Sequence, residues 1–441
     1  MSFRSALATA AAIRAGETSA LAECEAAIAR IEAGDGPINA VVVRDFDRAR
    51  AVARALDEAG PDAERNQGRP LFGVPMTVKE SFDVAGLPTH WGFPEHADHK
   101  SAEDAVAVKR LKAAGAVILG KTNTPTNLDD IQTNNPVHGR TSNPHDPSRV
   151  SGGSSGGSAA SLAAGFTPLE LGSDIGGSIR VPAAFCGVWG LKTSYGALDT
   201  WGHTRPRTKQ SGVALNVIGP MARDAADLHV ALDVLSDLPL PHATPASGRR
   251  SRVLILPAHP LAPTECAVSG AVERVGDLLE QGGVVVDRAS PLLPDLGQQH
   301  ANYIKMLLTA LARGAGTDLI QPLPMTDWFE LVDEQADNRR AWGRFFAEYD
   351  AVVAPCWGTT AFPHDDTPFA ERQLMVDGEP TFFGAQMAYP GLATFPMLPA
   401  CSVPVGRDGN GLPIGVQVMT DFRQDHRAIA VARLVNQLTM G

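Results

Sequence analysis

Between Ser151 and Arg180 the chain reads S-G-G-S-S-G-G-S-A-A-S-L-A-A-G-F-T-P-L-E-L-G-S-D-I-G-G-S-I-R, two Gly-Ser clusters around a small-residue segment. No other stretch is so biased, and none restricts the fold more. Paired glycines suit a backbone that turns tightly and brings its N–H groups close to a ligand. Composition alone would make such a run a flexible linker. Leu162, Phe166, Leu169, Leu171 and Ile175 inside it argue otherwise, as does the core-like Val181-Pro182-Ala183-Ala184-Phe185-Cys186 that follows. A linker is not embedded in apolar sequence on both sides. Ser154 and Ser178 stand out within it as chemical candidates.

The flanking sequence alternates between strand and helix patterns. Alanine-rich helices are predicted over 3–15 and 19–33, the second capped by Thr18 or Ser19, and another over 47–59. Ile38 to Val43, Pro70 to Glu80 and Ala116 to Gly120 read as strands, with a helix over 104–114. Residues 123–150 form a long polar loop with His138 and His145, read as exposed. A helix is expected from Gly219 through Val234, and residues 237–251 read as an exposed connection. Strands at 253–256, 283–286, 351–355, 399–404 and 411–419 alternate with helices at 265–281, 297–313, 326–348 and 425–439. This alternation points to an α/β sheet.

Composition narrows the function classes. The 441 residues carry a formal net charge of −11, which argues against a nucleic-acid-binding surface. Five scattered cysteines, Cys24, Cys186, Cys266, Cys356 and Cys401, form no CxxC pair, so neither a zinc site nor a disulfide framework is indicated. No apolar run approaches the roughly 18 residues of a membrane span, and the N-terminus lacks a signal-peptide layout. The expectation is a cytoplasmic protein with reduced thiols, no membrane association and no cofactor.

Gly152-Gly153-Ser154-Ser155-Gly156 satisfies G-x-S-x-G, but a nucleophile elbow needs a hydrophobic strand before the serine. Asn143-Pro144-His145-Asp146-Pro147 precedes it instead. No Gly-Lys-Ser/Thr follows the glycines, which excludes a phosphate loop, and no H-E-x-x-H or other zinc-ligand set occurs. A serine hydrolase without a histidine base remains chemically sound. Burial can bring a lysine pKa towards neutrality, and a second serine can relay the proton. Backbone N–H groups of a Gly-Gly-Ser turn can hold the oxyanion. Lys79, Ser154 and Asp174-Ile175-Gly176-Gly177-Ser178 supply the residue types.

G-G-S-S-G-G-S at 152–158, D-I-G-G-S-I-R at 174–180, G-V-P-M-T-V-K at 73–79 and G-L-P-I-G-V-Q at 411–417 together resemble the amidase signature family. These are hydrolases with a Ser-cisSer-Lys triad. The resemblance implies one α/β/α domain over residues 1–441 around a large mixed sheet. Its catalytic core would span about 70–225, with the helical segment 1–60 packed on it. It also implies Ser178 as nucleophile, Ser154 as bridging serine behind a cis bond from Gly153, and Lys79 as base. Backbone N–H groups of Ile175, Gly176, Gly177 and Ser178 would form the oxyanion hole; Asp174 and Arg180 would brace the turn beside Ser155.

The implied activity is hydrolysis of a small carboxylic amide through an acyl-enzyme, releasing ammonia or an amine. The aromatics at 328–346 and Phe382-Phe383 lean the acyl group towards apolar or aryl. Alternatives are the A subunit of a glutamine-dependent aminoacyl-tRNA amidotransferase, with obligatory partners, and a catalytically silent binding protein. A homodimer stays open. Thr124 to Asn127 without an acidic residue, Lys192-Thr193-Ser194 and Asn216 depart from many relatives. These bear on subfamily and pocket, not on the triad.

Overall fold

One mixed sheet takes its first half from N-terminal strands and its second half from C-terminal strands. The computed structural model describes residues 3–63, 66–206, 208, 212–242, 251–312 and 323–441. In spatial order the sheet begins with Val41–Arg44 (β1), Val117–Thr122 (β3), Pro75–Lys79 (β2) and Leu169–Asp174 (β6). Val217–Ala222 (β8), Trp189–Lys192 (β7), Ala400–Arg407 (β14) and Pro413–Met419 (β15) come next. Ala351–Pro355 (β11), Arg252–Ile255 (β9) and Val285–Asp287 (β10) close it. Two short hairpins stand apart, Asn134–Asn135 (β4) with Gly139–Arg140 (β5), and Gln373–Val376 (β12) with Glu379–Phe382 (β13).

The sheet is covered on both faces, which makes an α/β/α arrangement. Every residue of β2, β3, β6 and β8 is buried, polar ones included, so no face of these strands is left to solvent. Further along, alternate residues serve opposite layers. Val253, Ile255 and Val353 pack with Leu228, Val272 and Ile429 of helices Ala225–Leu235, Cys266–Gln281 and Asp425–Met440. Leu254, Val352 and Ala354 pack with Trp342 and Phe345 of helix Met325–Phe346. At the N-terminus, Ser19 caps helix Ala20–Gly34 by accepting from the Ala22 N–H. Cys24, Ile28 and Ile31 of that helix bury against Phe72, Val117 and Leu119.

Some expectations change. Residues 219–222 belong to β8, not to a helix; β8 pairs with both β6 and β7, and the helix starts at Ala225 after Asp224 caps it. The mixed loop before residue 385 holds the β12–β13 hairpin, turned by Asp377-Gly378 with both residues at positive φ. Trp342, Phe345 and Phe346 pack on one another inside the core, one pair stacked and two edge to face, and so give the acyl pocket no support. His138 is half-buried and pairs with His90, whereas His145 is exposed as expected and meets the Cys186 carbonyl. The connection read at 237–251 falls largely outside the described residues, as does Arg313 of the helix read at 297–313, whose described part is Leu296–Ala312.

Strand polarity positions the chemistry. β2 runs parallel to β6, with Thr77 opposite Glu170 and Val78 opposite Leu171. Both strands therefore end on the same edge of the sheet, Lys79 on one and Ser173-Asp174 on the other. Carboxyl ends of neighbouring strands are the usual place for an α/β active site.

Candidate active site

Lys79 is fully buried at the end of β2, and its Nζ lies 2.7 Å from Ser154 Oγ and 2.9 Å from Ser173 Oγ. Taking an ammonium out of water disfavours it, and burial holds the Lys79 pKa well below its ordinary 10.5, against smaller opposing pulls from Asp174 and Glu80. A neutral amine facing a serine hydroxyl is a proton acceptor.

The first Gly-Ser cluster wraps around that amine. The Gly153–Ser154 peptide bond is cis. A Cβ on Gly153 would sit 2.4 Å from the Asp130 carbonyl oxygen, and one on Gly152, at φ +83°, would sit 2.6 Å from Pro182 Cα. Only glycine fits both places. Helix Gly156–Ala163 then leads away. Ser155 joins the two clusters: its N–H donates to the Ser178 carbonyl at 3.0 Å and its Oγ–H to the Ser173 carbonyl at 3.3 Å.

The second cluster is a turn closed on one carboxylate. Asp174 accepts from the N–H of Gly177 at 2.9 Å, of Ile179 at 3.1 Å and of Arg180 at 3.4 Å. The Arg180 side chain adds a two-pronged pair, Nε to Oδ2 at 3.1 Å and Nη2 to Oδ1 at 2.9 Å. Burial pushes the Asp174 carboxyl up, but the Arg180 charge and these donors carry it down to about 2. The other side of Arg180 reaches the Pro390 carbonyl, Thr394 Oγ1 and Gln417 Oε1. Gly177 stands at φ +94°, where a Cβ would meet Pro390 and Val181 at 2.8 Å. The family resemblance implies its N–H as an oxyanion donor, but that N–H is given to Asp174. Ser178 is buried at the end of this turn, and among the described residues its Oγ hydrogen-bonds to no protein group.

Lys79, Ser154, Ser155, Asp174, Ser178 and Arg180 thus lie together at one edge of the sheet. Three more belong to the neighbourhood and are not apparent from sequence. Ser173 faces Lys79 because β2 and β6 are parallel, a pairing no local pattern reveals. Gln417 sits in the C-terminal motif, but its partner Arg180 is apparent only in the fold. His203 packs between Phe82 and Trp91, with centroids 4.6 and 5.3 Å away, and among the described residues its Nε2 has no hydrogen-bond partner. Burial is the main cause that pushes its pKa down to about 3, so its imidazole is neutral.

The Amidase family model matches residues 23–321 and 321–429, nearly the whole chain. The chain belongs to the Amidase family. Family membership makes it an amide-hydrolysing enzyme, and the fold is that of amidase signature enzymes. The indoleacetamide hydrolase of Bradyrhizobium diazoefficiens is 32% identical over 462 residues, covering 98% of this chain and 86% of that protein. The A subunit of the glutamyl-tRNA(Gln) amidotransferase from a Synechococcus strain is 32% identical over 488 residues, covering 97% of this chain and 95% of that one. Among solved structures, an inhibitor-bound protein complex bearing on the origins of an s-triazine catabolic enzyme superposes with a TM-score of 0.83 at 30% identity, covering 98% of both chains. Among the described residues of the amidase, no helix is long and apolar enough to cross a membrane.

Proposed function

We propose that this enzyme is a stand-alone amidase that cleaves a small carboxylic amide through Ser178, Ser154 and Lys79. The observation that carries the assignment is the 2.7 Å approach of a fully buried Lys79 Nζ to Ser154 Oγ. In this reading Ser178 Oγ attacks the amide carbonyl, its proton passes to Ser154, and the Ser154 proton passes to Lys79. The N–H groups of Ile175, Gly176 and Ser178 hold the developing oxyanion, while Gly177 serves the turn through Asp174. The C–N bond breaks as Lys79 returns the proton to the departing nitrogen through Ser154. Water then repeats the sequence on the acyl-enzyme and frees the acid.

The acyl group in this reading is apolar or aryl. Support comes from the likeness to indoleacetamide hydrolase and from the packing around the turn. Tyr303 Oη donates to the Ile175 carbonyl at 3.1 Å, and a Cβ on Gly176 would meet Met387 Cε at 2.8 Å. Both residues lie in an apolar cluster with Trp357, Phe383 and Leu215. The enzyme is read as one catalytic unit, cytoplasmic, without cofactor or nucleic-acid partner; light scattering tests a homodimer.

Ammonia release from indole-3-acetamide, benzamide, acetamide and L-glutamine tests the function. The expected order places the aryl amides first, with all turnover lost in Lys79→Ala. The full-length likeness to the A subunit of an amidotransferase supports a second reading. Turnover of glutamine alone, in a preparation that co-purifies with partner subunits, would replace the first reading with the second.

A further inference from the structure

The linear sequence holds no zinc-ligand motif, but the fold gathers a ligand set from three distant places. Helix Ala225–Leu235 carries His229 and Asp233 one turn apart. Helix Asp425–Met440 brings His426 against them, and His242 comes from the segment that follows helix Ala225–Leu235. His426 Nε2 lies 3.0 Å from Asp233 Oδ1, and His242 Nε2 lies 4.0 Å from the same oxygen. One ligand atom from each residue falls within 4.8 Å of the other two. The His242 and His426 rings stack with centroids 4.3 Å apart, so the exposed His242 ring must turn for both Nε2 lone pairs to meet one ion.

The spacing suits a small cation. Ligand atoms about 2.0–2.2 Å from a tetrahedral zinc lie roughly 3.3–3.5 Å from one another. The observed 3.0 and 4.0 Å bracket that distance, and the adjustment falls on His242 and Asp233, the two exposed side chains. The third ligand, His426, is fully buried and held from behind, with its Nδ1 2.8 Å from His229 Nδ1. A metal on Nε2 requires the proton on Nδ1, and His229 Nδ1 is there to accept it. An outer hydrogen bond of this kind orients a metal-binding imidazole and sets its tautomer.

We propose that Asp233, His242 and His426 bind one zinc-type divalent cation, with His229 as the positioning residue behind His426. Two borderline imidazoles and one hard carboxylate suit such an ion, and a fourth coordination position is left to solvent. The site is a staple between two helices, not part of the reaction: none of its residues hydrogen-bonds to Lys79, Ser154 or Ser178. The helix it pins also carries Asp425, whose carboxylate takes the N–H and Oγ–H of Ser194, each at 2.7 Å.

The test uses tag-free, chelator-treated protein in a Cys266→Ser background, because Cys266 is an exposed thiol. Zn2+ is titrated calorimetrically, and thermal unfolding is followed with and without it, for this protein and for its His242→Ala and Asp233→Asn variants. One equivalent should bind and raise the midpoint of unfolding by several degrees. Either substitution should weaken binding about tenfold or more, and His229→Gln should weaken it by about 10–100-fold. The visible band of four-coordinate Co2+ should appear in the parent and be lost in His242→Ala. No saturable Zn2+ binding, or binding unchanged in both ligand variants, overturns the site.

Discussion

Gln417 Oε1 accepts a 2.7 Å hydrogen bond from Arg180 Nη1, so the last strand of the sheet grips the turn that carries Ser178. The same amide donates to the Pro355 and Tyr389 carbonyls, each at 2.9 Å. All these groups are buried, and removing the Gln417 amide takes one hydrogen-bond partner from each. Gln417→Leu should therefore cost about 1.5–3 kcal/mol of stability, the range for a buried hydrogen bond to a charged group. It should also lower kcat on the order of tenfold to a hundredfold by loosening the nucleophile's position. Denaturant unfolding and steady-state kinetics on the same variant read both effects.

The Asp174–Arg180 pair behind that turn gives a second expectation. Asp174→Asn leaves a buried guanidinium without its counter-charge, at a cost of about 3–5 kcal/mol. Adding Arg180→Met should restore part of that loss, since the double variant buries no charge. The pair also has a pH signature. The Asp174 pKa falls from 3.8 to about 2 on folding, so its contribution is present above pH 3.8 and is lost as pH falls through 2. Acid unfolding of Asp174→Asn should lack that part of the pH dependence.

Lys79 works in the opposite sense. Its folded pKa lies well below 10.5, so between the two values the unfolded chain holds a proton that the folded chain does not. Stability then rises with pH across that window. Activity follows the neutral amine, and kcat/KM should rise along a limb whose midpoint lies below 10.5. Lys79→Arg keeps a permanent charge and cannot take a proton. It should lose about 10²–10⁴-fold in rate at every pH. A pH–rate profile of both proteins checks this.

Glu170 stands behind Lys79 in the sheet, opposite Thr77, whose hydroxyl donates to its carboxylate. Burial raises its pKa from 4.5 to about 8, so the folded chain holds the extra proton between those values. Stability from this group therefore falls as pH rises from 4.5 through 8. Glu170→Gln should remove that decline, a difference on the order of a few kcal/mol between the two ends of the window. Thermal melts of wild type and variant at both pH values measure it.

Much of the site is legible in the chain because its chemistry is local. Gly152 and Gly153, and the run from Asp174 to Arg180, build their turns from neighbours in sequence, so the motifs appear as contiguous words. Lys79 appears at a strand end for the same reason. What joins these words is not local. Ser173 meets Lys79 only through the parallel pairing of β2 with β6, and Gln417 meets Arg180 only because β15 passes below the turn. Small residues hide another element: helix Gly156–Ala163 has too little amphipathic contrast for a period to show. The aromatics of 342–346 satisfy a core, as aromatics at helical spacing usually do.

The most direct measurement is intact mass after treatment with a fluorophosphonate, on wild type, Ser178→Ala and Ser154→Ala. The account predicts a single adduct on wild type, absent in Ser178→Ala and formed more slowly in Ser154→Ala. An adduct that survives in Ser178→Ala and disappears in Ser154→Ala would contradict it, making Ser154 the nucleophile and the Lys79 contact its direct activation.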